Sequence, residues 1–528
     1  MAISFREQFR GFPIWQMFII CVIRFSEPIA FSSLFPYIYF MIRDFKIADR
    51  EEDISKYSGY LASSFAFAQF LFAVHWGKLA DRKFGRKPIL LAGLLGTSIS
   101  LIIFGFSTNY YMALAARSLA GALNGNISVL RTMIGEIATE RRHQGVAFST
   151  LPLLFNFGSV IGPLIGGSSY FTRPKKENPY QSNSLESFHD RFLNKHPYAL
   201  SNIVVACFLW FSFTCGVLFL EETHEKFKYR RDIGVDLGDK LLYSLGITPP
   251  TRPWSPAYKQ QGTYDEPDEI SPLIIPDIDE EEEEEQGNQE RGEESGEHSV
   301  EMIEKDDSVA FTPGVISAIS SNFIISLHSI TYNEFLPIFL ASRNKPDALK
   351  FPFKIEGGLG YSASYIGNLF SSTGIVGTFI VLVIFPIIDR YLGSINGYRL
   401  SVSIFPTVYF LVPFTIFTLH SYNSWFPEWA TPLMLYSLTS LKTLATATGM
   451  PQIMLINHRA APKQHRAYVN GTTMSIIALA RCTGPIVFGY LMSLGEKTSS
   501  GWIIWWSMSL LAMIGTIQSF FMEDLDDE

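Results

Sequence analysis

Long apolar runs alternate with short charged links along this chain of 528 residues. A helix needs about 20 mostly apolar residues to cross a bilayer, and many of these runs are long enough. Six precede a long hydrophilic stretch and six follow it: 14–40, 57–76, 88–107, 110–132, 144–168 and 199–220, then 313–341, 365–388, 399–420, 429–456, 466–494 and 501–521. Alternating, strand-length segments are absent, which favours helices over a barrel. The pattern predicts an all-α integral membrane protein with twelve transmembrane helices, which we call spans 1 to 12.

The hydrophilic stretch divides the chain into three predicted parts: an N-terminal six-helix half at 1–220, a linker at 221–311 and a C-terminal six-helix half at 312–528. The linker has 26 Asp and Glu against 9 Lys and Arg, a net charge of 9 − 26 = −17. High charge with low hydrophobicity predicts a largely disordered segment. Its residues 233–247 have the amphipathic pattern of a helix on a membrane surface.

Lys and Arg in the short links predict the orientation, because loops rich in these cations stay in the cytosol. The basic links precede span 1 and join spans 2–3, 4–5, 8–9 and 10–11, so they share one side of a twelve-span bundle. Outside the 2–3 link, their cations are Arg6, Arg10, Arg141, Arg142, Arg390, Arg399, Arg459, Lys463 and Arg466. We therefore expect both termini and the linker in the cytosol.

The linker also contains DEISPLIIP, in which Glu269, Leu273 and Ile274 match the acidic dileucine pattern. Sorting adaptors bind this pattern as an extended peptide with an acidic residue and an apolar pair. The alternative is a chance match in a solvated linker. The pattern favours a vacuolar or lysosome-like membrane and an adaptor partner, with the plasma membrane as the alternative location.

Several functional classes find no support in the sequence. The four cysteines all lie in apolar runs, without the spacing of a metal site or a disulfide framework. There is no Walker phosphate loop, nucleophile elbow or metal-ligand cluster. We therefore expect no ATP drive, no enzyme activity, no cofactor, no metal and no nucleic-acid partner.

Short sequences recur in the two halves. DRKFG at 81–85 is echoed by DRYLG at 389–393, and GPLIGG at 162–167 by GPIVFG at 484–489. This similarity predicts two six-helix halves related by a parallel pseudo-repeat. Transporters use that plan and place their site near the bilayer midplane, between the halves.

Three motifs resemble those of the major facilitator superfamily, and the resemblance extends over the whole chain outside the linker. WGKLADRKFGRKP at 76–88 is similar to the family's 2–3 loop signature, LAARSLAGALNGN at 114–126 to its fourth-span motif, and GSVIGPLIGG at 158–167 to the fifth-span motif of its antiporter branches. RFSEPIAFSSLFPY and RTMIGEIATERRHQ resemble a fungal branch near the proton-coupled drug antiporters and the plant zinc-induced facilitator-like transporters. The resemblance implies a monomeric transporter in the lipid bilayer.

The resemblance implies that the 2–3 link latches the two halves together on the cytosolic side in the outward-open state. Asp81 would face the N-terminus of a helix in the other half, where the helix dipole favours a carboxylate. Arg82 and Arg86 would pair with nearby acidic groups, and Gly77 and Gly85 would permit close approach and unusual backbone angles. The alternative is that the cations of this link only fix topology.

The fifth-span motif places Gly158, Gly162 and Gly166 on one helix face, because they are four residues apart. Gly167 follows them, and Pro163 removes a backbone hydrogen bond and bends the helix. The resemblance implies that this motif seals a leak between the halves of antiporters. Ordinary packing of small residues is the alternative.

Arg24 and Glu27 are charged residues near the middle of span 1, and their spacing of three places them on one helix face. A charge at mid-membrane costs about 2.5–3.5 kcal/mol on insertion scales, so such residues are functional candidates. Glu27 is a candidate for proton exchange. A static Arg24–Glu27 bridge and direct contact with the solute are the alternatives.

Other candidates for the central cavity are Arg117, Asn124, His328, Lys442 and Arg481. The resemblance links Arg117 to proton transfer, and Lys442 is its counterpart in the pseudo-repeat. The cations favour an anionic or zwitterionic solute over a bare cation. His328 would titrate near neutral pH, unless it is an ordinary hydrogen-bonded residue.

We therefore expect a secondary active transporter that moves a small organic solute by alternating access, in exchange for protons. Two alternatives stay open. One is a uniporter or symporter, and the other is a non-transporting membrane sensor or scaffold whose acidic linker carries the output.

Overall fold

The computed structural model describes residues 11–138, 141–174, 188–248, 252, 254, 311–462 and 466–522. One compact unit comprises Met1–Pro249 and Ala310–Glu528, and a second comprises Pro250–Val309. In the second unit only Arg252 and Trp254 belong to the described residues. The predicted sorting motif at Glu269, Leu273 and Ile274 therefore lies outside them, as does the acidic run of the linker.

Helices occupy all six predicted spans of the N-terminal half. They are Ile14–Ser32 and Ile38–Phe45 (span 1), Ile54–Leu79 (span 2), Arg86–Gly105 (span 3), Tyr110–Leu123 and Asn126–Ile137 (span 4), Arg141–Gly167 (span 5) and Ala199–Phe219 (span 6). Two further helices, Phe188–Lys195 and Ile233–Ser244, lie before and after span 6. The second coincides with the amphipathic segment of the linker.

Helices also occupy the six predicted spans of the C-terminal half. They are Pro313–Ala341 (span 7), Ala363–Phe379 with the π-helical turn Ile380–Ile384 (span 8), Phe385–Leu411 (the end of span 8 and span 9), Ala430–Ala460 (span 10), Arg466–Lys497 (span 11) and Ile503–Phe520 (span 12). Among the described residues, β-structure is limited to isolated bridges. The predicted all-α bundle is confirmed.

Local sequence explains several helix ends. The side chains of Asn109, Thr312 and Ser362 accept hydrogen bonds from backbone N–H groups in the first turns of spans 4, 7 and 8. Gly85 and Gly393 end the repeated DRKFG and DRYLG segments with φ values of 88° and 69°. Both values lie in the region that glycine adopts without strain, so the two halves turn in the same way here.

Two predicted helices are broken. Span 1 contains a turn at residues 33–37, and span 4 is interrupted at Asn124 and Gly125. At the second break, Trp76 donates a 2.6 Å hydrogen bond to the Ala122 carbonyl, and Gln69 donates one of 3.2 Å to the Asn124 carbonyl. Span 2 therefore satisfies backbone carbonyls that the broken helix leaves free.

Seven stretches of the described residues are long and apolar enough to cross a membrane: Ile14–Ser32, Arg86–Gly105, Ala199–Phe219, Pro313–Ala341, Ala363–Thr418, Val469–Lys497 and Ile503–Phe520. Ala363–Thr418 contains both spans 8 and 9. Span 4 is absent from this set because its break leaves two short helices. Span 5 contributes a shorter apolar helix, Leu153–Gly167, and spans 2 and 10 are more polar.

The apolar core differs between the two ends of the bundle. We call the end with the 2–3 link the basic end and the other the opposite end. One cluster joins the halves at the opposite end, where Tyr37 and Tyr110 belong to the same core as Phe339 and Ile366. A second cluster, which includes Leu90 and Leu209, lies within the N-terminal half. The shared core therefore holds the halves together mainly at the opposite end.

Candidate functional site: a charged centre in an asymmetric bundle

Spans 2 and 11 close the opposite end by direct contact between the halves. A Cβ atom at Gly59 would lie 3.0 Å from the Pro485 carbonyl carbon, so the two backbones touch. Ser63 donates a 2.8 Å hydrogen bond to the Cys482 carbonyl. Near the surface, Lys497 and Ser493 donate to Asp53 over 2.6 and 3.0 Å. These bonds outweigh the effect of burial and lower the pKa of Asp53.

The same two spans separate toward the basic end. Their contacts follow a regular antiparallel register, with residue 59 opposite 485 and 63 opposite 482. Continued toward the basic end, this register would pair Phe70 with Ser475. Both of these residues are exposed, Phe70 by 42%. The bundle is therefore closed at the opposite end and opens between these spans toward the basic end.

Loops of the C-terminal half support the closed end. Lys345 forms a 2.8 Å ion pair with Glu356, which also accepts a 3.1 Å hydrogen bond from Ser499. The hydrogen bond from Lys345 lowers the pKa of the Glu356 carboxyl, and the same bond raises the pKa of Lys345. The 7–8 link is thereby tied to the 11–12 link.

The fifth-span motif has two packing faces. Cβ atoms at Gly158, Gly162 and Gly166 would collide with Pro28, Ser32 and Ser33 of span 1 and its turn, so this face packs inside the N-terminal half. The adjacent face meets the other half. A Cβ atom at Gly167 would lie 2.8 Å from the Cα atom of Gly367 in span 8, and Ser371 donates a 2.8 Å hydrogen bond to the Val160 carbonyl.

The carbonyl of Pro163, which lies within the span 5 helix, also faces Gly367. Gly158, Gly162 and Gly166 thus pack span 5 closely against span 1, while Gly167 and the backbone around Pro163 contact the C-terminal half.

The centre of span 1 holds an ion pair. Arg24 donates to Glu27, and their side chains are exposed by only 12% and 8%. Oε1 of Glu27 is buried and has no hydrogen-bond partner among the described residues. Glu27 therefore has one oxygen bound to Arg24 and one oxygen that can accept a proton or a donor group of a solute.

Two further arginines face this pair. Arg131 of span 4 is repelled by the charges of both Arg24 and Arg481. Its Nη1 atom lies 3.1 Å from the sulfur of Met474 in span 11, a contact between the halves. No hydrogen bond or ion pair of Arg481 is found in the described part of the chain. Arg24, Arg131 and Arg481 thus form a cluster of like charges, which we call the arginine cluster.

Glu334 of span 7 is a second buried carboxylate, 9% exposed. It is attracted by Arg481 and by Arg117 of span 4. Its Oε2 atom and Nε of Arg117 are both buried without a hydrogen-bond partner among the residues described. The Arg117 guanidinium packs over the rings of Phe65 and Phe104, with centroid distances of 4.9 and 6.0 Å.

The remaining candidates have partners of their own or lie at the span 4 break. Lys442 donates a 2.7 Å hydrogen bond to Asn333, beside Glu334, and lies over the Tyr332 ring. His328 is buried, and its Nδ1 atom lies 2.9 Å from the Tyr409 hydroxyl. The structure gives His328 the contacts of an ordinary hydrogen-bonded residue.

Asn124 ends the first helix of span 4, and its buried Oδ1 atom has no hydrogen-bond partner within the described ranges. Asn126 starts the second helix, 1% exposed, with both side-chain polar atoms unpaired there.

The 2–3 link makes its described contacts with the N-terminal half and with the start of the linker. Arg86 pairs with Asp81 and, over 3.0 Å, with Glu136 of span 4. Asp81 is 57% exposed and does not face the other half in this structure. Arg82 is exposed, with no ion pair among the described residues. Among the described residues, this link makes no latch between the two halves in this structure.

The carboxylate at the N-terminus of span 3, the helix that follows the 2–3 link, is Glu222. Glu222 lies just after span 6 in the sequence. It accepts hydrogen bonds of 2.9 and 3.1 Å from the backbone N–H groups of Arg86 and Lys87. A Cβ atom at Gly85 would also lie against Glu222. Gly77 is open, because a Cβ atom there would meet nothing within 4 Å. Glu222, Arg131 and Glu334 are not among the residues that the sequence predicted for the site.

The chain is similar to known proteins along almost its whole length. The profile of the Major Facilitator Superfamily matches residues 20–173. The chain is 34% identical to the "Major facilitator superfamily multidrug transporter mfsB" of Aspergillus fumigatus, over 98% of this chain and 85% of that protein. It is 27% identical to "Protein ZINC INDUCED FACILITATOR-LIKE 1" of Arabidopsis thaliana, over 92% of this chain and 86% of that protein.

Among solved structures, the human organic anion transporter MFSD10 superposes with a TM-score of 0.55 at 14% identity, and the match covers 96% of this chain and 99% of that one. This likeness shows the fold.

Proposed function

We propose that this chain, which belongs to the major facilitator superfamily and is a multi-pass membrane transporter, exchanges a small organic solute for protons. The exchange would proceed by alternating access. The observation that carries the proposal is the charged centre between halves that are closed at one end. Among the described residues, four arginines, Arg24, Arg117, Arg131 and Arg481, interact with two carboxylates, Glu27 and Glu334. A surplus of positive charge among buried and half-buried arginines is costly unless a counter-ion or an anionic solute joins it.

The arginine cluster supports an anionic group on the solute. Arg131 and Arg481 have no carboxylate within ion-pair distance among the described residues. Guanidinium groups bind carboxylates and phosphates with two parallel hydrogen bonds, which fixes the orientation of a ligand. A solute with a carboxylate, phosphate or sulfonate would relieve the repulsion within the cluster.

Antiport adds a further condition, because proton and solute must exclude each other from one site. A cationic group of the solute would compete with a proton for Glu27 or Glu334, whereas a plain anion would not. Protonation of Glu27 would instead release Arg24, and the free guanidinium would favour a bound anion. Proton and anion would then move in the same direction, which is symport. We therefore propose a zwitterion, with its anionic end on the arginine cluster and its cationic end on Glu27.

The described contacts also support a cycle of alternating access. Gly59, Ser63 and Asp53 connect the halves at the opposite end, and the same spans separate beyond Phe70. We propose that the basic end is cytosolic, as the positive-inside rule predicts, with both termini on that side. The predicted vacuolar location and linker boundaries complete the proposal, and the chain acts as a monomer.

Metabolite profiling of isolated vacuoles tests the proposal. Cells with the intact protein, cells without it and cells with Glu27→Gln are compared, and Glu225→Gln serves as the matched control because Glu225 is exposed at the basic end. We expect one zwitterionic solute to fall in the deletion and in Glu27→Gln, with no change in Glu225→Gln. Equal profiles in all four would contradict the proposal. A solute lost in the deletion but kept in Glu27→Gln would make Glu27 structural.

A sensor or scaffold is the second candidate, and the acidic linker is the feature that favours it. Deletion of residues 255–310 separates the two functions. A transporter keeps solute transport without these residues, provided that it reaches its membrane, whereas a sensor loses its output and is indifferent to Glu27→Gln.

A further inference from the structure

The helix Ile233–Ser244 has three faces with different surroundings. Successive residues of a helix are rotated by about 100°, so each residue has a fixed direction around the axis. Val235, Gly238 and Leu242 are buried and lie about 200°, 140° and 180° from Ile233. Cβ atoms at Gly234 and Gly238 would collide with the backbone at the end of span 6. This face of the helix packs against the bundle.

The second face is apolar and uncovered. Ile233, Leu237 and Leu241 lie within about 80° of one another around the helix, and they are 81%, 59% and 45% exposed. They point away from the core, beside a span whose own outer residues Trp210 and Phe211 are large, apolar and exposed. The helix therefore presents an exposed apolar face next to a span that has exposed apolar residues of its own.

The third face is polar. It consists of Asp236, Asp239, Lys240 and Tyr243, which lie between about 240° and 340° from Ile233. This face lies between the buried face and the apolar face. A buried face, an exposed apolar face and a polar face thus divide this one helix at roughly equal angles. That arrangement suits a helix in the plane of a membrane interface, where one face enters the acyl region and another stays in water.

The segment before the helix contains cations that make no ion pair with another described residue. Lys226, Lys228 and Arg230 follow span 6 directly, and none of them has an ion-pair partner in the described part of the chain. Juxtamembrane cations of this kind attract anionic lipid head groups. The segment also contains acids: Glu221 accepts a hydrogen bond from Gln16, Glu222 caps span 3, Asp232 caps the helix itself, and Glu225 is exposed.

We propose that the helix Ile233–Ser244 is an interfacial anchor that binds the bilayer leaflet at the basic end, with its apolar face among acyl chains and the three cations on anionic phospholipid head groups. The anchor is joined to the 2–3 link, because Asp232 at the start of the helix forms a 2.7 Å ion pair with Lys87. Lys87 directly follows Arg86, the partner of Asp81. Lipid bound at the anchor is therefore coupled to the link that must rearrange when the basic end closes.

Quenching by brominated lipids tests the anchor in the full-length protein. A genetically encoded fluorescent amino acid is placed at Leu237 or, as the matched control, at Tyr243, which is 74% exposed on the polar face of the same helix. The protein is reconstituted in nanodiscs whose phospholipids carry bromine in the acyl chains. We expect at least twofold stronger quenching at position 237 than at 243. Equal quenching, or none at 237, would overturn the proposal and leave the face to a soluble partner or a second copy.

The lipid charge is tested separately. Quenching at position 237 is measured with and without phosphatidylserine, in the native sequence and in Lys226→Gln/Lys228→Gln/Arg230→Gln. We expect phosphatidylserine to increase quenching in the native sequence and to lose that effect in the triple variant. If it has no effect in the native sequence, or the same effect in both, the anionic part of the proposal is refuted. Melting temperature reports whether the variants fold.

Discussion

Replacement of Gly59 by alanine tests how the opposite end is closed. The added Cβ atom would lie 3.0 Å from the carbonyl carbon of Pro485 and closer still to its oxygen, in the other half of the bundle. Both atoms belong to backbone, so neither can rotate away as a side chain would. Accommodation requires spans 2 and 11 to separate at this end, which disfavours the conformation with a closed opposite end.

The magnitude follows from the cost of overpacking, typically about 1–3 kcal/mol. Alanine is also a better helix former than glycine by roughly 0.5–1 kcal/mol. This gain in helix propensity does not change the ratio of the two conformations, because span 2 is helical in both. The ratio of the two conformations should therefore shift by about 5-fold to 150-fold toward the state with an open opposite end, since 1.4 kcal/mol corresponds to a factor of ten.

Distances between spin labels measure this shift. Labels at Asp49 and Ser424 lie on exposed links at the opposite end, one in each half. Gly471→Ala in span 11 is the matched control, because a Cβ atom there meets nothing within 4 Å. We expect Gly59→Ala to populate longer distances and Gly471→Ala to resemble the native sequence. Identical distance distributions for the two variants would refute the packing argument.

Three further predictions concern residues at the two ends. The lowered pKa of Glu356 means that its ion pair with Lys345 persists from neutral pH down to below about pH 4, where the carboxyl protonates. The raised pKa of Lys345 means that the pair also persists up to above about pH 10. NMR titration of the carboxyl group checks this, and loss of the pair near pH 6 would contradict it. Glu222→Gln should destabilise the protein by about 0.5–2 kcal/mol, because it weakens the cap on span 3, whereas Glu225→Gln should leave the melting temperature unchanged; equal effects would rule out the cap. Asp81→Asn should abolish transport and preserve folding and targeting, as uptake assays with surface labelling would show, and normal uptake would exclude the latch.

The sequence predicted every span, because charges interrupt the apolar runs at nearly every membrane boundary. It did not predict the break in span 4. The apolar pattern continues through Asn124, and the hydrogen bonds that satisfy the freed carbonyls come from Gln69 and Trp76 of another span. Interactions of that kind are tertiary and leave no local pattern.

The site was predictable in part. The spacing of Arg24 and Glu27 predicted a shared face, and the two side chains pair. Arg131 was missed because span 4 was predicted to end at residue 132, which placed Arg131 in the last turn of the span, at the membrane boundary. The helix continues to Ile137, which moves Arg131 into the bundle. Glu334 is a charge inside an apolar run, which is the signal that should have identified it.

Proton-coupled uptake by the reconstituted protein tests the central claim most directly. Liposomes with an acidic interior are prepared with the native sequence or with Glu27→Gln, and the uptake of the solute found by profiling is measured while an internal dye reports pH. The account predicts solute entry with matching alkalinisation of the interior, and loss of this coupling in Glu27→Gln. Uptake that is independent of the pH gradient, or coupling that is unchanged in the variant, would contradict it.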